Sequence, residues 1–170
     1  LHNFPLLGLG HIRIHNRDGV AYLQEMLPVD CLFLDPARRD GHGGKTVAIS
    51  DCEPDISALE SLLVDKAKKV MVKLSPMLDL SLALNELKTV RAVHIVAVNN
   101  ECKELLLILQ KESVSSEVSI HCEHIAGNGE SRHYTFTLKQ EKASACPLTG
   151  QVGTYLYEPN VSILKAGAFK

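Results

Sequence analysis

The longest apolar stretches of this chain fall far short of the roughly 20 residues a helix needs to cross a bilayer, so no membrane partner is expected. Charge of one sign is not in excess either. With 18 basic and 20 acidic residues the formal charge is -2, and no global field advertises a nucleic acid or a membrane surface. Any RNA-binding patch has to be local. The five cysteines (31, 52, 102, 122 and 146) form no C-x-x-C pair and their number is odd. Three sit inside apolar runs, so reduced, buried thiols in a cytoplasmic protein are the expected state. The opening segment "LHNFPLLGLGHIRIHN" has no basic stretch ahead of an apolar one, so it does not read as a signal peptide. It starts on Leu1 rather than Met, and the chain is expected to belong to something longer.

What is present suits one soluble domain: 170 residues, 45% hydrophobic and 22% charged. "HIRIHN" (11–16) alternates as a strand would, and residues 18–27 follow as a helix with Asp18 as a candidate N-cap. "DCLFLD" (30–35) is a continuous apolar run, the pattern of a strand buried on both faces of a parallel sheet. Helical spacing is expected over 53–67, 78–87 and 100–112, with strands over 69–76 and 92–99 between them. That alternation predicts an α/β fold with a mostly parallel sheet and helices on both faces. Residues 117–125 and 132–139, joined through Asn128-Gly129, predict an antiparallel terminal hairpin. The small, turn-prone run 143–154 marks a boundary, giving one unit over 1–142 and a linker with the start of a second module over 143–170.

The most chemically suggestive stretch is "DCLFLDPARRDGHGGKT" (30–46). A phosphate-cradling loop would need a glycine at position 39, five residues ahead of Gly44-Lys45-Thr46, and Arg39 stands there. The remaining readings of Asp35-Pro36-Ala37-Arg38 are a plain strand-to-loop turn, or a ligand site beyond the carboxyl end of a parallel strand. In the second, proline stiffens the turn and leaves nearby carbonyls free as acceptors. Asp35 would then orient or deprotonate a target, Pro36 would assist, and the forked donors of Arg38 and Arg39 would suit phosphate. Either arginine could equally pair with Asp40, Asp51 or Glu53. Lys73 could face the site or cap its strand. "HCEH" (121–124) splits its ligand types between two faces of a strand, so no metal site is expected.

The order of these segments resembles the second half of a class I S-adenosylmethionine-dependent methyltransferase. The matching pieces are a strand ending Asn16-Arg17-Asp18-Gly19, a strand ending in Asp35-Pro36-Ala37-Arg38-Arg39, and a strand ending Lys73-Leu74-Ser75-Pro76. The nearer resemblance is to bacterial methyltransferase-like proteins with a THUMP-like C-terminal domain, through D-P-A-R-R, V-K-x-S-P, E-C-K-E at Glu101–Glu104 and Y-L-Y-E-P-N at Tyr155–Asn160. The resemblance implies a three-layer Rossmann-like sheet and S-adenosylmethionine as cofactor, with Asp18 and Gly19 near the adenine. It implies a target, RNA by the THUMP-like likeness, held by Asp35, Pro36, Ala37, Arg38, Arg39 and Lys73. The pyrimidine C5 enzymes of this class carry a cysteine where this chain has Lys73-Leu74-Ser75-Pro76, so transfer to nitrogen or oxygen is implied instead.

The glycine-rich loop after the first strand and the acidic end of the second have no counterpart here. Those two strands are expected upstream of Leu1, the chain alone is expected to be inactive, and its exposed sheet edges could self-associate. The competing class is a non-catalytic binding or assembly module.

Overall fold

The computed structural model describes residues 3–38, 48–111, 117–151 and 153–170. After a single turn of helix, α1 (Asn3–Leu6), helix α2 spans Gly19–Glu25. Asp18 caps α2, its Oδ1 accepting from the Ala21 amide at 2.8 Å, so the cap read from sequence is formed. Strand β1 (Val29–Leu34) follows, then β2 (Ala37–Arg38), a 3-10 turn (Ile49–Asp51), β3 (Cys52–Glu53) and α3 (Ile56–Lys66). Asp55 rather than Pro54 opens α3, accepting from the amides of Ser57 and Ala58. Then come β4 (Ala67–Leu74), α4 (Leu80–Glu86), β5 (Val90–Val98), β6 (Glu101–Leu109), β7 (Ser119–Ile125) and β8 (Ser131–Thr137). Helices α5 (Leu138–Ala143) and α6 (Val161–Ala166) close the chain.

One sheet holds six strands in the order β1-β4-β6-β5-β7-β8. β1 pairs parallel with β4, and β5 with β7, while β6 runs against both β4 and β5, and β8 against β7. Four strands therefore share a direction and two oppose it. The terminal hairpin is as expected, with Gly129 at φ 85° in its turn. The second reversed strand, β6, is not.

It arises where the sequence predicts a helix over 100–112. Asn99 and Asn100 adopt φ 50° and 60°, the paired left-handed geometry that a two-residue hairpin turn demands. Val98 lies opposite Glu101, and the chain doubles straight back. A leucine-rich run satisfies a helical stripe and a strand face about equally, so the turn decides. Two apolar runs separated by Asn-Asn were the available signal.

Two other expectations fail. Residues 12–16 form no strand and are exposed, since alternation without a partner offers the backbone no ladder of hydrogen bonds. β1 is not buried on both faces. It is an edge strand among the described residues, with Phe33 58% exposed and Cys31 exposed.

The core lies on one face of the sheet. Val70, Val72, Leu105, Leu107, Leu109, Val93, Ile95 and Ile120 are fully buried there, with α3 packed against β4 and α6 against β5, β6 and β7. Cys122 on the same face donates to the Ser162 carbonyl of α6. The opposite face, with Met71, Leu106, His94, Val96, His121 and Glu123, is only half-buried. Of the three expected layers, the sheet and one helical layer are described. Within 143–170 the one helix among the described residues is α6, which packs on β5, β6 and β7, and α5 was missed altogether. Its signal was the Thr137–Gln140 capping box, in which each side chain bonds the other's amide.

Candidate functional site

The carboxyl ends of β1 and β4 and the start of β6 meet at one edge of the sheet, because Leu34 registers with Val72 and Leu74 with Leu105. Directly after β1, Asp35 and Pro36 leave the sheet. The chain is then caught by a two-residue ribbon in which Ala37 pairs with Glu53 and Arg38 with Cys52. This ribbon fixes the proline turn from both sides.

Asp35 and Pro36 form a wall shared by two cavities. The larger, about 770 Å³, lies between β1 and α2 and is lined by Asp18, Gly19, Tyr22, Phe33, Ala37 and Glu53, among others. Its volume is within the range of small-molecule sites. The smaller, about 250 Å³, is lined by Cys52, Lys73, Ser75, Pro76, Lys103 and Glu104. The structure thus brings Asp18, Gly19, Asp35, Pro36, Ala37 and Lys73 to one end of the sheet. Arg38 contributes its backbone to β2, and Arg39 lies outside the described residues, as do Lys45 and Thr46.

Lys73 faces the site. Its Nζ is 2.6 Å from Asp35 Oδ2, and that hydrogen bond above all holds the ammonium above the ordinary lysine range, against the opposing effect of burial and with the Asp35 and Glu104 charges assisting. Lys103 pairs with Glu101 at 2.7 Å beside it. Sequence reasoning placed Glu101 and Lys103 at a helix start. They reach this edge on a strand instead, because β6 enters from the Asn99-Asn100 turn. Glu53, Cys52 and Glu104 were missed as lining residues, since only the ribbon and the antiparallel β6 bring them here.

Asp18 cannot be read as a free carboxylate, given its bond to Ala21. A carboxylate has two oxygens and several lone pairs, so the cap leaves acceptor capacity toward the cavity. The lining combines aromatic and aliphatic surface with the carboxyl-bearing residues Asp18, Asp35 and Glu53.

A second cluster lies on the half-buried face. His94 of β5 and His121 of β7 are register partners, their rings stacked at 4.5 Å and 11°. Burial first, then the neighbouring His121, push the His94 imidazole below the usual histidine range, while Glu123 opposes this.

Among solved structures, the chain is similar to a crystal structure of a "putative methyltransferase" from Porphyromonas gingivalis W83, at 37% identity and a TM-score of 0.71 over 83% of the chain. The match spans about a third, 34%, of that protein's length. Residues 155–170 match a family model described as a ferredoxin-like domain. Curated proteins give no match. The shared fold and identity support methyltransferase as the class of protein this chain resembles. No helix among the described residues is long and apolar enough to cross a membrane.

Proposed function

We propose that this chain carries the distal half of a class I S-adenosylmethionine-dependent methyltransferase domain of the THUMP-like-domain type, with residues 143–170 opening the C-terminal module. The carrying observation is the wall formed by Asp35 and Pro36 between a cofactor-sized cavity and a smaller polar one. In open α/β sheets, ligands sit beyond the carboxyl ends of the strands, where this wall stands.

Asp18 and Gly19 would bound the adenosine end of the larger cavity, and the target atom would enter from the smaller. When bound, S-adenosylmethionine would supply an electrophilic sulfonium methyl for transfer to a nitrogen or oxygen lone pair, with S-adenosylhomocysteine as the leaving group. The protein's part is alignment and acceptance of the target's proton. Asp35 holds the target's N–H or O–H and takes the proton, and Lys73 keeps that carboxylate in place. Arg38 and Arg39 supply phosphate donors for an RNA target. The RNA assignment is supported by the THUMP-like likeness and this arginine pair.

Calorimetric titration of S-adenosylmethionine into the chain, extended upstream to the length of its crystallographic neighbour, tests the reading. Micromolar binding, about -8 kcal/mol, lost in Asp18→Ala, is expected. An absence of binding would favour the second reading, a non-catalytic module. That alternative is supported by the Lys73–Asp35 ion pair, which gives Asp35 a partner within the sheet edge itself.

A further inference from the structure

The two imidazoles on the half-buried face belong to a larger group. Glu123 follows His121 by two residues on β7 and so faces the same way. One donor atom from each of His94, His121 and Glu123 can be chosen so that all lie within 4.8 Å of one another. Thr135, the partner of His121 across the β7–β8 ladder, places Oγ1 3.1 Å from His121 Nδ1. A proton on Nδ1 shared with that hydroxyl leaves the Nε2 lone pair free, which is how an outer hydrogen bond orients a ligating histidine. His133 is the register partner of Glu123 on β8 and shares its face. Three ligand-type side chains from two adjacent strands, β5 and β7, therefore converge on one spot of the sheet face that also carries Met71, Leu106 and Val96, while His133 is exposed and stays outside the cluster.

We infer that His94, His121 and Glu123 form a binding site for one divalent transition-metal ion of the zinc type, three protein donors that leave one coordination position open. The donor set decides the class of ion. Imidazole nitrogen with a single carboxylate suits zinc, cobalt, nickel or copper, whereas magnesium and calcium demand mostly oxygen. Tetrahedral zinc with bonds of about 2.0–2.1 Å spaces its ligand atoms about 3.3 Å apart, and the donor atoms here already lie within 4.8 Å of one another. Lys69 lies close enough to act on His94 electrostatically, and its exposed ammonium is free to turn into solvent. The inference does not rest on the methyltransferase reading, since its donors stand on β5 and β7 rather than on β1 or β4.

Titration of zinc chloride into chelator-stripped protein, followed by calorimetry and by the visible spectrum of the cobalt form, tests this. Expected is one saturable equivalent per chain at micromolar strength, a tetrahedral cobalt spectrum, and no heat with magnesium. His121→Ala should abolish it. Thr135→Val, which touches no ion, should weaken it about tenfold, and Glu123→Gln, a near-isosteric change, should weaken it while leaving the far-ultraviolet dichroism unchanged. His15→Ala should leave it intact. Absence of saturable binding up to millimolar zinc overturns the inference. So does unchanged affinity in a His94→Ala/His121→Ala variant, or loss of binding on His15→Ala instead.

Discussion

Lys73 and Asp35 stand at the ends of neighbouring parallel strands, and their side chains close the gap between those strands with a 2.6 Å ion pair. Both groups remain solvent-accessible, so the pair orients more than it stabilises. Lys73→Met should leave the urea midpoint almost unchanged. The sign of the pH effect follows from the raised lysine: its contribution is complete at low and neutral pH and disappears only above the ordinary lysine range. Denaturation curves should therefore show no Lys73-dependent change across the neutral range. On the proposed methyltransferase reading, the same variant of the full-length protein should lose methyl-transfer activity, because Asp35 loses its ion-pair partner.

The Asn99-Asn100 turn makes a second prediction. Asn99→Ala puts an unfavourable residue at φ 50° and should cost about 1–2 kcal/mol, read as a lower urea midpoint. Asn99→Gly should cost less, since glycine tolerates that conformation. Asn100 has an additional task. Its Oδ1 accepts from Asn160 Nδ2 at 2.9 Å and from the Val161 amide at 3.0 Å, so Asn100→Gly should keep the turn but loosen α6, seen as faster amide exchange over 161–166.

Glu60 is a third point of leverage. One carboxylate oxygen of this α3 residue accepts from the amides of Lys88 and Thr89 and from the Thr89 hydroxyl, at 2.8, 2.7 and 2.7 Å. It ties α3 to the entry of β5. Glu60→Ala removes an acceptor shared by three donors and should destabilise by about 1–3 kcal/mol, whereas exposed Glu25→Ala should not.

Thiol labelling supplies the fourth. Burial, assisted by the Glu123 charge, pushes the Cys122 thiol up to about 11, and the group is 2% exposed. The thiolate is the reactive form. Iodoacetamide at neutral pH should modify exposed Cys31 and Cys146 in the folded protein, and reach Cys122 only after denaturant is added. Mass spectrometry of the digested protein reads this directly.

Local chemistry was legible in the sequence wherever neighbours along the chain settle the conformation. Asp18 before α2, the helical spacing over α3, the apolar run of β4, and Asn128-Gly129 between β7 and β8 all read correctly, because caps, periodicity and turns act over a few residues. The Asp35-Pro36 turn was recognisable for the same reason, along with its position at a strand end.

Contacts between distant segments were not legible. The run Glu101–Leu109 fits helix and strand alike until its partners Val70–Leu74 and Val90–Val98 are in place, and the hydrophobic pattern of β1 says nothing about its lying at an edge. Nor could "HCEH" alone disclose that His121 and Glu123 meet His94. Sequence determined which short pieces form and where they turn, since those energies are local. Pairing partners, the direction of β6, the two cavities meeting at Asp35 and the histidine face were decided by the sheet, whose hydrogen bonds and buried area exist only once remote strands dock.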